Sequence, residues 1–247
     1  MKKFIAYFDY LGFKKFIENN NVEYQSKIIN NIFSDIARSL SKGKYIRHSN
    51  GVTADISNSK LNCINFSDTV VFWTNDDSEE SLEEILKVTH IFNCQAILFI
   101  FPTRGSLVYG EIVYVDFKQE NNVGGNYIIN TLYGKGLVKA HEKAEKQHWA
   151  GTVIDQSLIE ELINRGYQLE DFFKPYAMLY KVPYKNGQEF PDEYVFRLVT
   201  SDLNYENFKN LEKKIRENFA QHNKTVDSQD INEKIDNTIK FLYSFCV

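Results

Sequence analysis

The chain has few of the features that assign a protein to a class at sight. Cysteine is scarce: Cys63, Cys94 and Cys246 are the only three, and no pair has the spacing of a metal clamp or a redox motif. That usage is the pattern of a reduced, cytoplasmic protein. Excess charge is missing too. Lys and Arg number 29 against 33 Asp and Glu, a net of −4, so no global basic field draws the chain to DNA, RNA or an anionic membrane. Long apolar runs are absent. "AILFIF" at 96–101 is far too short to span a bilayer. The basic start Met1-Lys2-Lys3 leads into an apolar stretch that Asp9 interrupts, so no signal peptide is read and no direct membrane insertion is expected. Repeats, low-complexity linkers, a Walker phosphate loop and a nucleophile elbow are missing as well. The five histidines, His48, His90, His141, His148 and His222, keep no metal spacing. His90 reads as a core-edge residue and His141 as facing away from the lysines of its helix. Gly124-Gly125 reads as a loop turn, and "NDDSEESLEE" at 75–84 as a solvated helix start.

What is present is ample core material, 43% hydrophobic and 15% aromatic residues, enough for one large domain or a domain with an appendage. Residues 3–9 read as a buried strand. "FKKFIEN" then leads into a helix whose Ile28, Ile29, Ile32, Phe33, Ile36 and Leu40 recur at helical spacing. Residues 44–59 are turn-rich and read as a loop or an irregular hairpin arm. Two strand-like runs, 60–66 and 69–75, meet at Ser67-Asp68 as a hairpin. A long helix follows over 78–101, then a strand at 105–116, a loop, a helix at 136–147 and a strand at 151–155. That order predicts an α+β fold with helices packed on a largely antiparallel sheet. Beyond residue 155 a helix at 156–165, strands near 175–182 and 193–199, and two amphipathic helices at 204–222 and 229–245 are expected.

Two acids stand at strand ends. Asp9 closes the first strand and Asp68 sits at the hairpin tip. In a ferredoxin-like sheet the first strand lies beside the central hairpin, so both carboxylates can share one edge. Two such acids repel unless a proton or cation intervenes, and divalent ions bound to carboxylates and substrate phosphates are the usual answer. The alternative is that Asp9 caps the next helix and Asp68 is a turn residue. The turn "DYLGF" would leave backbone N–H groups of Tyr10, Leu11, Gly12 and Phe13 facing a phosphate.

"FDYLGF" resembles the first metal motif of class III nucleotidyl cyclases, and "NFSDTVVFW" their second. "RGSLVYGEIV" at 104–113 resembles the strand after their central helix, and "YGKGLVKAHEKAE" at 133–145 their last catalytic helix. Four weak motifs in order over roughly residues 3–155 make a fairly specific match. The spelling and the C-terminal part resemble most the bacterial pyrimidine cyclases of Pycsar anti-phage systems. The resemblance implies a ferredoxin-like class III cyclase core over 1–155 and an α/β extension over 156–247 on the same body.

It further implies a head-to-tail homodimer with active sites at the interface. Asp9 and Asp68 would hold two Mg²⁺ or Mn²⁺ ions on a nucleoside triphosphate, which is cyclised with loss of pyrophosphate. In the family the last helix lends an Asn and an Arg, spaced i, i+4, to the neighbouring site; here Lys139 and Lys143 stand there, lysine point charges in place of an arginine fork. Arg104 is a further cation, either a phosphate contact or an ordinary salt bridge. A separate cyclic-nucleotide-sensing effector is implied as well.

Base choice is read from an absence. Adenylate cyclases of this class use a Lys and an Asp where this chain has Ile64 or Asn65 and Thr131, so the purine code is missing. Tyr45 and the 44–59 arm are candidates to fill the smaller pocket. The reading is thus a cyclase of UTP or CTP. The alternatives are a purine cyclase with an atypical pocket and a catalytically degenerate nucleotide-binding module.

Overall fold

The computed structural model describes residues 2–99 and 101–247. Met1, read as the start of the basic lead-in, and Ile100, read within the long helix and its apolar run, lie outside the described residues.

The first strand, β1 (Lys2–Tyr10), carries an unbroken apolar and aromatic run from Phe4 to Phe8, which suits a place in the middle of a sheet with protein on both faces. Gly12 turns the chain into α1 (Phe13–Asn19). Asn21 then caps α2 (Val22–Ser41), its side chain accepting from Tyr24 N–H. A short ribbon of β2 (Tyr45–His48) and β3 (Gly51–Ala54) follows. The expected central hairpin is β4 (Asn62–Phe66) and β5 (Thr69–Trp73), with Ser67 in the left-handed region (φ 54). The acidic run starts α3 (Glu79–Phe99). Asp76 accepts from Ser78 and Ser81, hydrogen bonds that hold its carboxyl down at about 2. Then come β6 (Thr103–Glu111), β7 (Val113–Glu120), β8 (Asn126–Tyr133), α4 (Lys135–Lys146) and β9 (Gly151–Ile154). The remainder is α5 (Gln156–Asn164), α6 (Leu169–Phe173), β10 (Ala177–Tyr180), β11 (Glu193–Phe196), α7 (Tyr205–Ala220) and α8 (Gln229–Tyr243).

Seven strands form one sheet in the order β10-β11-β9-β6-β1-β5-β4. It is antiparallel except where β6 runs parallel to β9. β1 is flanked by β5 and β6, as the ferredoxin-like expectation required, and the α+β class is borne out. The two faces differ. Phe4, Ala6, Phe8 and Tyr10 point to one, into the largest core, with Ile28, Ile32 and Ile36 of α2 and Leu82, Ile85 and Phe92 of α3. Ile5 and Tyr7 point to the other, which α4 covers through Ala140 and Ala144. α4 approaches β6 backbone to backbone. A Cβ at Gly110 would come within 2.6 Å of Gly136 Cα, so both positions need glycine. A third core joins Trp149 and Val153 to Phe208, Ile215, Phe241 and Leu242 of α7 and α8.

Two sequence expectations are corrected. The strand expected at 105–116 breaks at Ile112, and its second half pairs with β8 as a separate, exposed ribbon. The expected loop after it is therefore largely strand, with Gly124 (φ 85) at the tip. The sequence reading merged β6 and β7 because both are β-branched and aromatic, and apolar content alone does not report burial. Short α6 also went unread.

One buried acid bears on stability. Asp35 of α2 is 5% exposed, and burial pushes its carboxyl up to about 6 although Arg38 opposes the shift. The folded state therefore binds this proton more tightly than the unfolded chain, and stability falls as pH rises from about 4 to about 6. A shift of that size corresponds to at most about 3 kcal/mol. Asp35→Asn should gain about 1–2 kcal/mol in urea unfolding at pH 7.5 and flatten that part of the pH profile. Equal stability of the two proteins at pH 7.5 would contradict the assignment.

Candidate active site

Strand register brings the site together. Asp9 sits directly opposite Arg104 of β6 on one side and Thr69 of β5 on the other. Tyr10 N–H donates to Asp68 O at 2.8 Å, which ties the hairpin tip to the end of β1. The two acids thus occupy one edge, the arrangement inferred from the sequence. Direct cross-strand partners point to the same face, so Asp9, Thr69 and Arg104 line the α4 side of the sheet.

A polar network spreads from Asp9. Arg104 Nε donates to Asp9 Oδ2 at 2.8 Å, and these side chains are only 11% and 13% exposed. Arg104 also pairs with the Glu145 carboxylate on α4, and Lys185 Nζ reaches the other oxygen of Glu145 at 3.4 Å. Beside it, Tyr7 OH lies 3.3 Å from Thr69 Oγ1 and 3.0 Å from His141 Nδ1. Burial raises the Asp9 carboxyl above the usual range. The Arg104 charge opposes that shift, and the Asp68 and Glu145 charges reinforce it. Asp9 does not cap α1, because Gly12 holds the cap position and the helix has no side-chain cap.

The Gly12 turn is placed as expected, with its side chains facing elsewhere. Tyr10 and Phe13 are buried against Phe101, and because Tyr10 N–H is already bonded to Asp68 O, contrary to the sequence expectation, only Phe13 of the two can offer the site its amide. Leu11 packs on the third core and its N–H donates to Pro102 O at 2.9 Å. Among the described residues, the N–H groups of Gly12, Phe13 and Lys14 have no hydrogen-bond partner.

Other sequence-predicted residues fall away from this cluster. Asn65 pairs with Val70 and so faces the opposite side of the sheet, where its amide donates to Thr69 O at 2.9 Å. Of the pair Ile64 or Asn65, only Ile64 shares the Asp9 face, because one residue of register exchanges faces. Thr131 lies on exposed β8, opposite Val115. Tyr45 lines a groove with Phe33, Arg38 and Phe99 against α2 and α3, on the far side of the sheet. Lys139 pairs with Asp155 at 2.9 Å and Lys143 with Glu193, so neither ammonium group is aimed at Asp9. His141, which faces away from Lys139 and Lys143 as expected, and Glu145 are the α4 residues that reach the cluster. Their i, i+4 spacing is the signal that the lysine pair eclipsed.

Asp9 and Asp68 suit a hard divalent ion. Asp68 has no side-chain partner among the described residues, and Asp9 uses only Oδ2 on Arg104. Two carboxylates completed by phosphate oxygens are the usual ligand set for Mg²⁺ at a nucleotide. No cluster of three or more His, Cys, Asp or Glu ligands occurs among the described residues, so protein donors alone would not complete such a site.

With this geometry in place, the fold can be compared with known ones. No family model matches the chain, and no curated protein matches its sequence. Solved structures do match. The guanylate cyclase domain of RhGC from Catenaria anguillulae, in complex with GTP, aligns with a TM-score of 0.52 at 10% identity, over 79% of this chain and 96% of that one. The catalytic core of a rhodopsin-guanylyl cyclase with converted specificity, in complex with ATPαS, gives 0.52 at 10% identity, over 79% and 94%. A dimeric guanylyl cyclase domain of the RhoGC fusion protein from the aquatic fungus Blastocladiella emersonii gives 0.50 at 11% identity, over 78% and 93%. The chain therefore has the fold of class III nucleotidyl cyclase domains.

Removing Arg104 should expose the cost of burying Asp9. Arg104→Met is expected to raise the Asp9 carboxyl further and to destabilise the fold by about 3 kcal/mol or more. The deficit should grow as pH rises, because ionising an unpaired buried acid becomes harder. Urea unfolding at pH 5 and pH 8 checks this, and an equal deficit at both values would show that the pair does not control Asp9.

Proposed function

We propose that this chain is a divalent-metal-dependent nucleotide cyclase that acts as a homodimer on UTP or CTP, releasing pyrophosphate and the 3′,5′-cyclic monophosphate. The observation that carries the reading is the meeting of Asp9, Asp68 and Arg104 at one sheet edge, beside a helix start with free amides, in a cyclase fold. Bound Mg²⁺ or Mn²⁺ would neutralise the triphosphate and ease loss of the ribose 3′-hydroxyl proton. Asp9 and Asp68 would hold that charge, and the Gly12–Lys14 amides would meet phosphate oxygens. The 3′-oxygen attacks the α-phosphorus in line, a new O–P bond forms, and the bond to pyrophosphate breaks. Arg104 stands beside Asp9, where negative charge on the phosphates collects.

Ile64 on the Asp9 face can hydrogen-bond no base, so the pyrimidine choice rests on the missing purine code and not on a positive signal from this residue. The neighbours solved with GTP and ATPαS favour the second reading, a purine cyclase. The role in anti-phage defence, the cytoplasmic location and the separate effector rest on the sequence resemblance to Pycsar cyclases. No described helix is long and apolar enough to cross a membrane.

Incubation of the purified chain with ATP, GTP, CTP and UTP plus Mn²⁺, with products identified by mass spectrometry, tests the reading. Cyclic UMP or cyclic CMP is expected. A cyclic purine would keep the chemistry and overturn the base choice, whereas no product would favour a nucleotide-binding module. Asp68→Ala should lower turnover by about 100-fold or more with an unchanged melting temperature, because its side chain supports nothing else. Lys139 and Lys143 are assigned to the neighbouring protomer's site. Asp9→Ala and Lys143→Ala subunits, each inactive, should then regain activity on mixing; proven heterodimers without recovery would remove both lysines from the site.

A further inference from the structure

The turn that carries Gly12 is held from outside the core. Between α7 and α8 the chain crosses over α1, and its path there is imposed by contacts rather than by local preference. His222 (φ 61) and Asn223 (φ 58) are both left-handed, a region that His and Asn enter more readily than most residues but that costs energy when two in succession adopt it. Three side chains of the α1–α2 corner clamp them. Asn19 Nδ2 donates to Asn223 O at 2.7 Å, Asn20 Nδ2 donates to His222 O at 2.8 Å, and Tyr24 OH lies 3.0 Å from His222 Nδ1. Asn223 Nδ2 returns a bond to Asn20 Oδ1 at 2.8 Å.

Lys224 comes next and is 5% exposed. Its stem lies against the Gly12 turn, so that a Cβ on Gly12 would stand 2.9 Å from Lys224 Cδ and 3.5 Å from Cγ. Its ammonium group has no carboxylate partner among the described residues. It donates to Asn218 O at 2.7 Å and stands 4.3 Å from the centre of the Phe101 ring. Burial lowers its pKa to about 7. Asn218 is itself fixed, donating through Nδ2 to Ile97 O at 2.9 Å and to Ala96 O at 3.2 Å. Hydrogen bonds thus run from the end of α3 through Asn218 to Lys224, and packing of the Lys224 stem carries the contact on to the back of the Gly12 turn. Burying a lysine without a counter-charge is unfavourable, and an aliphatic residue would fill the same space. What the lysine adds is a stem pinned at both ends.

We propose that the α7–α8 connector is a strap that sets the Gly12 turn, with Lys224 as its positioning residue. The C-terminal extension thereby tunes affinity for a metal-bound triphosphate without touching it. The ligand part of this inference rests on the reading of Asp9–Gly12 as the metal–phosphate edge, whereas the strap itself does not.

Hydrogen exchange on the full chain separates the two. The Leu11 and Phe16 amides, bonded to Pro102 O and Gly12 O, report the turn. In Lys224→Ala they should exchange roughly ten-fold faster, with β5 and β6 amides unchanged, and Mn²⁺-tripolyphosphate should bind roughly ten-fold more weakly by calorimetry. Lys224→Met, which keeps the stem against Gly12 but loses the bond to Asn218 O, should recover only part of both, leaving each about three-fold short of the wild type. Asn19→Ala, which cuts the clamp on Asn223 O at an exposed site, should reproduce the faster exchange if Lys224→Ala fails to fold. Unchanged exchange at Leu11 and Phe16 in the folded variants overturns the strap. Faster exchange with no tripolyphosphate binding by the wild type keeps the strap and overturns the phosphate reading.

Discussion

The contact between Asp9 and Arg104 is the constraint around which the site is arranged. Both groups are largely withdrawn from water, so each would be costly to bury alone. Register supplies the solution. Because Asp9 and Arg104 are direct cross-strand partners, the ion pair is set by backbone pairing and does not depend on flexible side chains finding one another. Glu145 takes the other side of the guanidinium, so one arginine serves two carboxylates from two different elements. Asp68 is left without a side-chain partner among the described residues, and the charge balance at this edge is correspondingly open to a cation.

The sheet is unequally covered. One face carries α2, α3 and α5 and a continuous apolar core. The other is covered by α4, seated close through Gly110 and Gly136, and it is this thinner side that bears the acids. Tight backbone contact fixes where the helix sits, and that places His141 and Glu145 over the end of β1 while Lys139 and Lys143 turn toward Asp155 and Glu193. The β7–β8 ribbon rises from the same region with Tyr114, Val115, Phe117, Tyr127 and Ile128 exposed.

The extension does more than lengthen the chain. β10 and β11 continue the sheet beyond β9, and α7 and α8 complete a core that reaches the end of α3. The same helices bring the connector onto α1. A segment more than two hundred residues from Gly12 in sequence therefore shares its surroundings with the turn.

Much of the fold was legible in the sequence because its signals are local. The continuous apolar run of β1, the helical spacing of Ile28, Ile32 and Ile36, and the turn at Ser67-Asp68 each report an element through nearest neighbours. Asp9 and Asp68 were legible for the same reason, as acids placed at strand ends. What escaped depends on pairing and on facing. Asn65 differs from Ile64 by one position and so looks the other way, and β8 could not be told from a loop while its partner was unknown. Lys139 and Lys143 gave no sign in the sequence that Asp155 and Glu193 lie beside them. Glu145 carried only its i, i+4 spacing with His141, and Lys224 no signal at all, since Arg104 of β6 and the Gly12 turn are brought to them from distant parts of the chain. The sequence by itself determined most of the strands and helices of the main sheet and where the acids lie, because those follow from short-range periodicity. Only the tertiary structure decided which charges meet, because ion pairs and packed stems form between residues that the chain order keeps far apart.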